Sequence, residues 1–263
     1  MSRDDQRVQI NEFMNPPHAL PVARLGELLP GRTRPPVASI NTLDKWKMED
    51  DDAPIFRYIY QTQRPRRHLE FGTWQGWGAA LCLESCDATV WTINLPDGEV
   101  RKDGSWAYGE RVQNQKAAPQ DVEAATFGED DLGPQTYHRT DARGYIGRIY
   151  RERQMGHRVC QIYCDSREWS VSNYPRDFFD SVLVDGGHEP DVVISDSRKS
   201  LPLLRPGGVI MWHDFCPHPG IRSQFESVKG VTSGIASILP ELRAQMSGLY
   251  WIDPSWILVG LKK

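Results

Sequence analysis

Strand-like and helix-like runs alternate along the chain from about residue 65 onward. His68–Phe71, Ala88–Leu95 and Phe179–Val184 are short runs rich in apolar or β-branched residues, which is typical of strands buried in a parallel sheet. Trp77–Cys86 and Ser195–Leu204 have the composition and spacing of helices that pack on such a sheet. This alternation predicts an α/β fold with a doubly wound, mostly parallel sheet and right-handed crossovers.

Three further runs complete a predicted sheet of seven strands. Arg158–Cys164 and Val209–His213 are apolar runs that continue the parallel order. Residues 249–261 contain two apolar stretches around Asp253-Pro-Ser255, which predicts a C-terminal antiparallel hairpin at or near the edge of the sheet.

The first 50 residues form a predicted N-terminal arm and cap, separate from a domain that spans residues 51–263. They are rich in proline and arginine and have little periodicity beyond a short helix around Val22–Leu29. We expect Asp52 to be the N-cap of the next helix, with Pro54 in its first turn. An extended arm of this kind also makes a homodimer a reasonable expectation.

Residues 97–157 form a long insertion after the second strand. About sixty residues separate Leu95 from Arg158, whereas a crossover needs about a dozen. Because the insertion follows a strand end, we expect a lid or substrate wall, with a dimerisation element or a disordered loop as alternatives. Trp106 and Tyr108 could stack on a sugar or aromatic acceptor, or form a small core of the insertion.

Composition narrows the possible functions. The formal net charge of −4 and the pI near 6.0 provide no basic field for nucleic acid, and no apolar run is long enough for a membrane span. Five cysteines lack the spacing of zinc or redox motifs, so Cys82, Cys86 and Cys160 are predicted to be buried small hydrophobes. Reduced thiols and the polar N-terminus favour a cytoplasmic protein.

Two strand ends carry the candidate chemistry, Gly72–Gly78 and Asp185–His188. Ligands of open α/β sheets bind beyond the carboxyl ends of the strands. Glycines at 72, 76 and 78 do not fit the G-x-G-x-x-G spacing of dinucleotide sites, and Asn94 stands where an acidic residue would face the ribose. This spacing argues against a nicotinamide-dependent dehydrogenase.

The glycine-rich motif resembles a known family. Glu70-x-Gly72-Thr73-x-x-Gly76-x-Gly78 is similar to the first motif of class I S-adenosylmethionine-dependent methyltransferases, and residues 179–188 and 203–215 resemble their later motifs. The nearest branch is that of bacterial sugar and natural-product O-methyltransferases, near the cephalosporin-hydroxylase-like and macrolide-sugar enzymes. The resemblance covers residues 65–96 and 157–263. It implies a Rossmann-like methyltransferase fold and methylation of a hydroxyl on a small molecule, such as a sugar or secondary metabolite.

The resemblance also implies roles for individual residues around S-adenosylmethionine. The glycines and Thr73 would wrap its methionine part, while Glu70 would order the loop or meet the cofactor amine. Asn94, where the family has a carboxylate, would face the ribose. Asp165 would accept a hydrogen bond from the adenine amino group beside Ser166, with a helix N-cap as the alternative for Asp165. The implied cofactor-binding positions are Glu70, Gly72, Thr73, Gly76, Gly78, Asn94, Asp165, Ser166 and Asp185.

Asp185, His188, His213 and Asp214 are the candidate catalytic and metal-binding side chains. Metal-dependent relatives use carboxylates at these strand ends, so Asp185 and Asp214 are candidate ligands of Mg²⁺ or another divalent metal. His213 replaces one carboxylate of the expected pair, which favours a softer metal or none. His188 and His213 are the candidate bases, with Asp185 beside them; a structural role in the Gly186-Gly187 turn is the alternative for His188.

Two other functions remain open from the sequence. A metal-dependent hydrolase or hydroxylase could use the same four residues, Asp185, His188, His213 and Asp214. A non-catalytic nucleotide-binding partner is the second, since Asn94 and the incomplete carboxylate pair depart from the family pattern. A zinc site that includes His218 is a weaker prediction because Pro217 precedes it.

Overall fold

The computed structural model describes residues 9–31, 35–36, 51–95, 121–125, 135–139 and 146–263. The strands are Ala19–Pro21 (β1), Arg67–Phe71 (β2), Thr89–Asn94 (β3), Asp121–Ala125 (β4), Gln135–Arg139 (β5), Val159–Tyr163 (β6), Phe179–Val184 (β7), Leu204–Trp212 (β8), Met246–Asp253 (β9) and Leu258–Lys262 (β10). The α-helices are Leu25–Leu28 (α1), Ala53–Gln63 (α2), Trp77–Ser85 (α3), Arg148–Glu152 (α4), Pro190–Leu203 (α5), Pro219–Gln224 (α6) and Glu226–Gln245 (α7). Every strand predicted after residue 65 is present, with bounds within three residues of those expected except for β8, which begins five residues earlier.

The main sheet has eight strands in the order β1-β9-β10-β8-β7-β2-β3-β6. The doubly wound, mostly parallel α/β fold is confirmed, but the count of seven strands was one too low, because β1 of the N-terminal arm pairs in parallel with β9. The terminal hairpin is present, yet its antiparallel strand β10 lies inside the sheet, between β8 and β9. An arm strand of three residues is too short to show a pattern of its own.

Helices cover both faces of the sheet. Side chains of β8 alternate between the two layers, so that Ile210 and Trp212 belong to one core and Met211 to the other. The first core lies under α5 and α7, and the second lies under α2 and α3. Burial on both faces explains why the strands are near-continuous apolar runs.

The described part of the N-terminal arm packs into this sandwich. Phe13 is fully buried in the α5/α7 core, where its ring contacts Phe215 at a centroid distance of 5.5 Å. Leu25 is fully buried in the opposite core, within the predicted short helical stretch, which comprises residues 22–24 and α1. The domain boundary near residue 50 remains a prediction.

The insertion falls largely outside the described residues, and so do Trp106 and Tyr108. Two of its segments, β4 and β5, form an antiparallel pair. Its C-terminal part, from Ile146, is described and contains α4. The role of the insertion as a lid or substrate wall remains a prediction.

The cysteine prediction is confirmed. Cys82, Cys86 and Cys160 are buried, with exposed fractions of 0%, 9% and 2%, and all five cysteines are free thiols. None of the helices in the described part of the chain is both long and apolar enough to cross a membrane.

Candidate active site

The predicted site residues meet at one edge of the sheet. Four backbone hydrogen bonds of 2.8 to 3.1 Å join the carboxyl ends of five neighbouring parallel strands. The bonds are His213 N to Val184 O, Asp185 N to Phe71 O, Gly72 N to Ile93 O and Cys164 N to Asn94 O. The glycine loop, Asn94, Asp165, Asp185 and His213 are therefore neighbours, as expected for ligand-binding loops of a parallel sheet.

Close packing explains the glycines of the loop after β2. Gly72 has φ +96°, and a Cβ there would lie 2.0 Å from Asp185 O. Gly76 has φ +88°, and its Cβ would lie 2.7 Å from the Tyr150 ring. These positions need glycine both for the backbone conformation and for space. The loop therefore packs against the end of β7 and against the C-terminal part of the insertion.

Glu70 lies beneath the loop. It is 1% exposed, and Thr92 Oγ1 donates to its Oε2 at 2.5 Å. Burial raises its pKa to about 8, although hydrogen bonds from Thr92 and from the Ala79 backbone oppose the shift and the charge of Asp185 adds to it. Of the two roles implied for Glu70, loop ordering agrees with a carboxyl group that is shielded from any ligand.

Asn94 is bonded to the backbone around the loop. Its Oδ1 accepts from Trp74 N at 2.9 Å, and its Nδ2 donates to Leu95 O at 2.8 Å. Trp74 has φ +41° and a 47% exposed side chain, an unusual conformation for a bulky residue. The amide of Asn94 helps to hold that conformation, and its contact with a ribose remains a prediction.

The Asp165 carboxylate pairs with Arg167. Its Oδ2 accepts from Arg167 Nη2 at 2.6 Å and its Oδ1 from Arg167 N at 2.9 Å. The second bond closes an Asx-type turn, and residues 166–168 are a turn and not a helix, so the helix N-cap alternative for Asp165 was wrong. An adenine contact would share the carboxylate with this arginine. Ser166 lies next to it, half-buried, and its O accepts from Lys199 Nζ at 2.5 Å.

His213 lies between carboxylates from three parts of the chain. Its Nδ1 contacts Asp185 Oδ1 at 3.0 Å and Asp214 Oδ2 at 3.4 Å, and its Nε2 contacts Asp52 Oδ2 at 2.9 Å. Burial lowers the pKa of His213, but the charges of Asp185 and Asp214 outweigh burial and hold that pKa well above its usual value. A protonated imidazole that donates from both nitrogens fits this environment.

Asp52 reaches this cluster from the start of α2. It occupies the expected N-cap position, but its side chain makes no cap hydrogen bond. It is fully buried, and its Oδ1 also accepts from Trp256 N at 3.4 Å. The position was predicted correctly and its side-chain role was wrong, because pairing with a buried cation outweighs a bond to a helix N–H.

His188 and Asp214 form a second pair on the open side of the cluster. His188 Nε2 lies 2.9 Å from Asp214 Oδ2, with the imidazole 46% exposed and the carboxylate 12% exposed. Asp214 has φ +54°, a left-handed conformation that aspartate tolerates. Burial lowers the pKa of His188, but hydrogen bonding and charge from Asp214 raise it overall. His188 is therefore the ring that a ligand can reach.

The donor set of this cluster fits a divalent ion. Ligand atoms of Asp185, His188 and Asp214 lie within 4.8 Å of one another. Two carboxylates and an imidazole suit a borderline metal such as Mn²⁺ or Zn²⁺ as well as Mg²⁺. His213 lies behind the carboxylates and partly neutralises them. His218 is not part of this group, which is the one cluster of potential metal ligands within the described ranges.

Three polar residues near the site were not anticipated as such. Gln161 and Thr92 point from β6 and β3 toward Thr73, and Tyr150 bonds to Gln161. Gln161 and Thr92 could have been found from the sequence, since each is a polar residue in an otherwise apolar strand and buried polar groups need partners. Tyr150 lies in the C-terminal part of the insertion and carried no pattern that pointed to the site.

Comparison with known proteins shows what the chain is similar to. Residues 69–215, more than half of the chain, match the family model described as a methyltransferase domain. The fold is similar to that of the SAH-bound methyltransferase PaMTH1 of Podospora anserina, at 12% identity and a TM-score of 0.50, over 80% of this chain and 77% of that one. It is also similar to a proposed caffeoyl-CoA O-methyltransferase of Staphylococcus aureus, at 14% identity and a TM-score of 0.52, over 98% and 99%. No curated protein matches the sequence.

Proposed function

The chain belongs to the methyltransferase-domain family, and we propose that it transfers the methyl group of S-adenosylmethionine to a hydroxyl oxygen of a small molecule. The observation that carries the acceptor chemistry is the His188–Asp214 pair at 2.9 Å. It lies at the same strand edge as the glycine loop, so a base faces the place where the methyl donor is expected. The family does not favour a hydrolase or a non-catalytic partner.

The glycine loop supports the choice of cofactor. Its contacts with β7 and with Glu70 create a rigid turn at the strand edge, which agrees with a nucleoside-type ligand at that edge. The structurally similar PaMTH1 is described with S-adenosylhomocysteine bound. We place the methionine part of the cofactor at Gly72–Gly78 and its adenosine part toward Asn94, Asp165 and Ser166.

His188 is the proposed general base. The Asp214 carboxylate accepts a hydrogen bond from Nε2–H, which leaves the lone pair of Nδ1 free to take the proton of the acceptor hydroxyl. As the acceptor oxygen forms its bond to the methyl carbon, the bond from that carbon to sulfur breaks and S-adenosylhomocysteine leaves. His213 is less suited to this role, since both of its nitrogens already face carboxylates and it is 6% exposed.

The same cluster could hold a divalent metal. Asp185 and Asp214 are the proposed ligands, with His188 close enough to join them. A bound metal would orient a hydroxylate and lower its pKa. His188 would then be either a metal ligand or a base. Removing the metal with a chelator and then adding it again distinguishes these two roles.

The test is methyl transfer from isotopically labelled S-adenosylmethionine to a panel of sugars, phenols and hydroxylated metabolites, with amine analogues alongside. We expect transfer to a hydroxyl and a loss of about 10²-fold or more in kcat for His188→Ala. S-adenosylhomocysteine affinity should stay unchanged, because His188 faces the acceptor. His157→Ala, an exposed histidine remote from the strand edge, is the matched control.

Two results would contradict the proposal. Transfer to amines alone would exclude O-methylation, and a loss below about tenfold in His188→Ala would remove that residue as base. Chelation followed by Mg²⁺ or Mn²⁺ addition tests the metal independently. The homodimer, the cytoplasmic location and the absence of a nucleic-acid partner remain predictions that this assay does not address.

A further inference from the structure

Residues 146–150, in the C-terminal part of the insertion, are seated directly on the glycine loop. Gly147 N donates to Trp74 O at 2.7 Å, and Ile149 N donates to Gln75 O at 2.9 Å. Arg148 Nη2 and Nε donate to Gln75 Oε1 at 2.7 and 3.0 Å. Backbone and side chain therefore both fasten segment 146–150 to the loop.

The fit between this segment and the loop leaves little free space. A Cβ at Gly76 would meet the Tyr150 ring at 2.7 Å and Gly147 Cα at 3.0 Å. Trp74 has a φ of +41°. Its backbone is held on both sides, because its O accepts from Gly147 N and its N donates to Asn94 Oδ1. A bulky residue in that conformation persists only where its surroundings hold it, so the segment helps to define the shape of the loop.

A chain of buried hydrogen bonds continues from this segment into the loop. Tyr150 OH donates to Gln161 Oε1 at 2.8 Å, and Gln161 Nε2 donates to Thr73 Oγ1 at 2.8 Å. Thr73 Oγ1 lies 2.6 Å from Thr92 Oγ1, which donates to Glu70. We call these five side chains the loop relay. With the tyrosine donating at one end, every hydroxyl and amide in it has one assigned direction.

We propose that Tyr150 and Gln161 are cofactor-positioning residues, which act on S-adenosylmethionine through Thr73 and the loop rather than by touching it. The inference rests on the proposed cofactor site at Gly72–Gly78. Both side chains are buried, at 2% and 8% exposure, so they can influence a ligand only through their neighbours. Their effect should appear in cofactor affinity, because the relay ends at the loop and not at His188.

Removal of the tyrosine hydroxyl breaks the relay at its outer end. Tyr150→Phe keeps the ring that packs on Gly76 but leaves Gln161 Oε1 without its donor. An amide that loses one partner can rotate, and its bond to Thr73 then becomes weaker. We expect S-adenosylhomocysteine affinity to fall about five- to tenfold, the effect of about one hydrogen bond. Tyr58→Phe is the matched control, since its buried hydroxyl donates to Leu29 O at 2.9 Å and is outside the relay.

A double-mutant cycle tests whether the two residues act in series. Dissociation constants for S-adenosylhomocysteine are measured by calorimetry for Tyr150→Phe, Gln161→Leu and the double variant, with urea midpoints for each. If they act in series, the double variant binds no more weakly than Gln161→Leu alone. A purely structural role would lower the urea midpoints and leave all dissociation constants within twofold of wild type, which would overturn the proposal.

Two further results keep the proposal separate from the function it rests on. If wild-type protein does not bind S-adenosylhomocysteine, the cofactor assignment fails and the positioning role fails with it. If the buried variants do not fold, Arg148→Ala tests the same segment from its exposed side, and about threefold weaker binding is expected from the loss of its bonds to Gln75. Arg198→Ala, which loses a comparable surface pair with Glu241, should bind normally. Unchanged S-adenosylhomocysteine affinity in Arg148→Ala would then contradict a positioning role for segment 146–150.

Discussion

Glu70 shows how one buried carboxyl group can make stability depend on pH. Its pKa is raised from 4.5 to about 8 in the folded protein. Between these values the unfolded chain releases the proton and the folded chain retains it, so the free energy of unfolding falls as pH rises. The expected slope from this group approaches about 1.4 kcal/mol per pH unit.

Glu70→Gln should remove that slope, since glutamine resembles the protonated acid. Urea unfolding at pH 5, 6, 7 and 8 would show wild-type stability falling relative to the variant as pH rises. Glu241→Gln is the control: this exposed group pairs with Arg198 and its pKa is lowered, so it contributes no slope in this window. Parallel curves for wild type and Glu70→Gln would contradict the expectation.

Gly72 is a second residue whose identity follows from its surroundings. A Cβ there would overlap Asp185 O at 2.0 Å, and φ is +96°. We expect Gly72→Ala to lower the free energy of unfolding by about 3 kcal/mol, since both backbone strain and overpacking oppose it. Gly220→Ala, in α6 with nothing within 4 Å of the new Cβ, should be neutral or stabilising by up to about 1 kcal/mol. Equal urea midpoints for the two variants would show that the loop can shift to accommodate a side chain.

Individual site residues could be located from the sequence more easily than their partners could. Asp165, Asp185 and His213 follow apolar runs, so their place at the strand edge was predictable. The partners of these residues could not be predicted in the same way. Asp165 pairs with Arg167, and His213 pairs with Asp52, which lies 161 residues earlier in the chain. Pairing of charges depends on the folded geometry, which local pattern does not contain.

At the scale of elements, burial on both faces made the central strands predictable. β2, β3, β6 and β7 are apolar or β-branched because helices cover both sides of them. β1 has only three residues and is a strand only because it pairs with β9. The position of β10 inside the sheet depends on how the chain returns after α7, and a hairpin signal cannot distinguish an edge strand from an inner one.

The C-terminal part of the insertion, from Ile146 through α4, shows the same limit for the prediction of function. α4 has five residues and no periodicity that would place it against the glycine loop. Its importance lies in backbone contacts with Trp74 and Gln75, which depend on shape and not on residue type. The glycine loop and the candidate base were visible in the sequence, but the element that holds the loop was not.

In the whole molecule, Asp52 connects the N-terminal part of the chain to the strand edge. Its carboxylate contacts His213 after β8, and His213 contacts Asp185 after β7. The cluster has more carboxylates than imidazoles, so each buried charge depends on its neighbours. Loss of one partner from a buried ion pair is costly because the remaining charge stays desolvated.

Asp52→Ala should therefore lower the free energy of unfolding by about 3–5 kcal/mol, and Asp52→Asn by less, since an amide oxygen can still accept from His213 or Trp256. Asp87→Ala, at a fully exposed carboxylate, should change it by less than about 0.5 kcal/mol. Urea unfolding followed by far-UV circular dichroism and by tryptophan fluorescence would measure both. Because Asp52 joins the arm-side helix to two strands, the two signals should still change together in Asp52→Ala. An Asp52→Ala curve that matches that of Asp87→Ala would mean that the His213 cluster holds together without its N-terminal carboxylate.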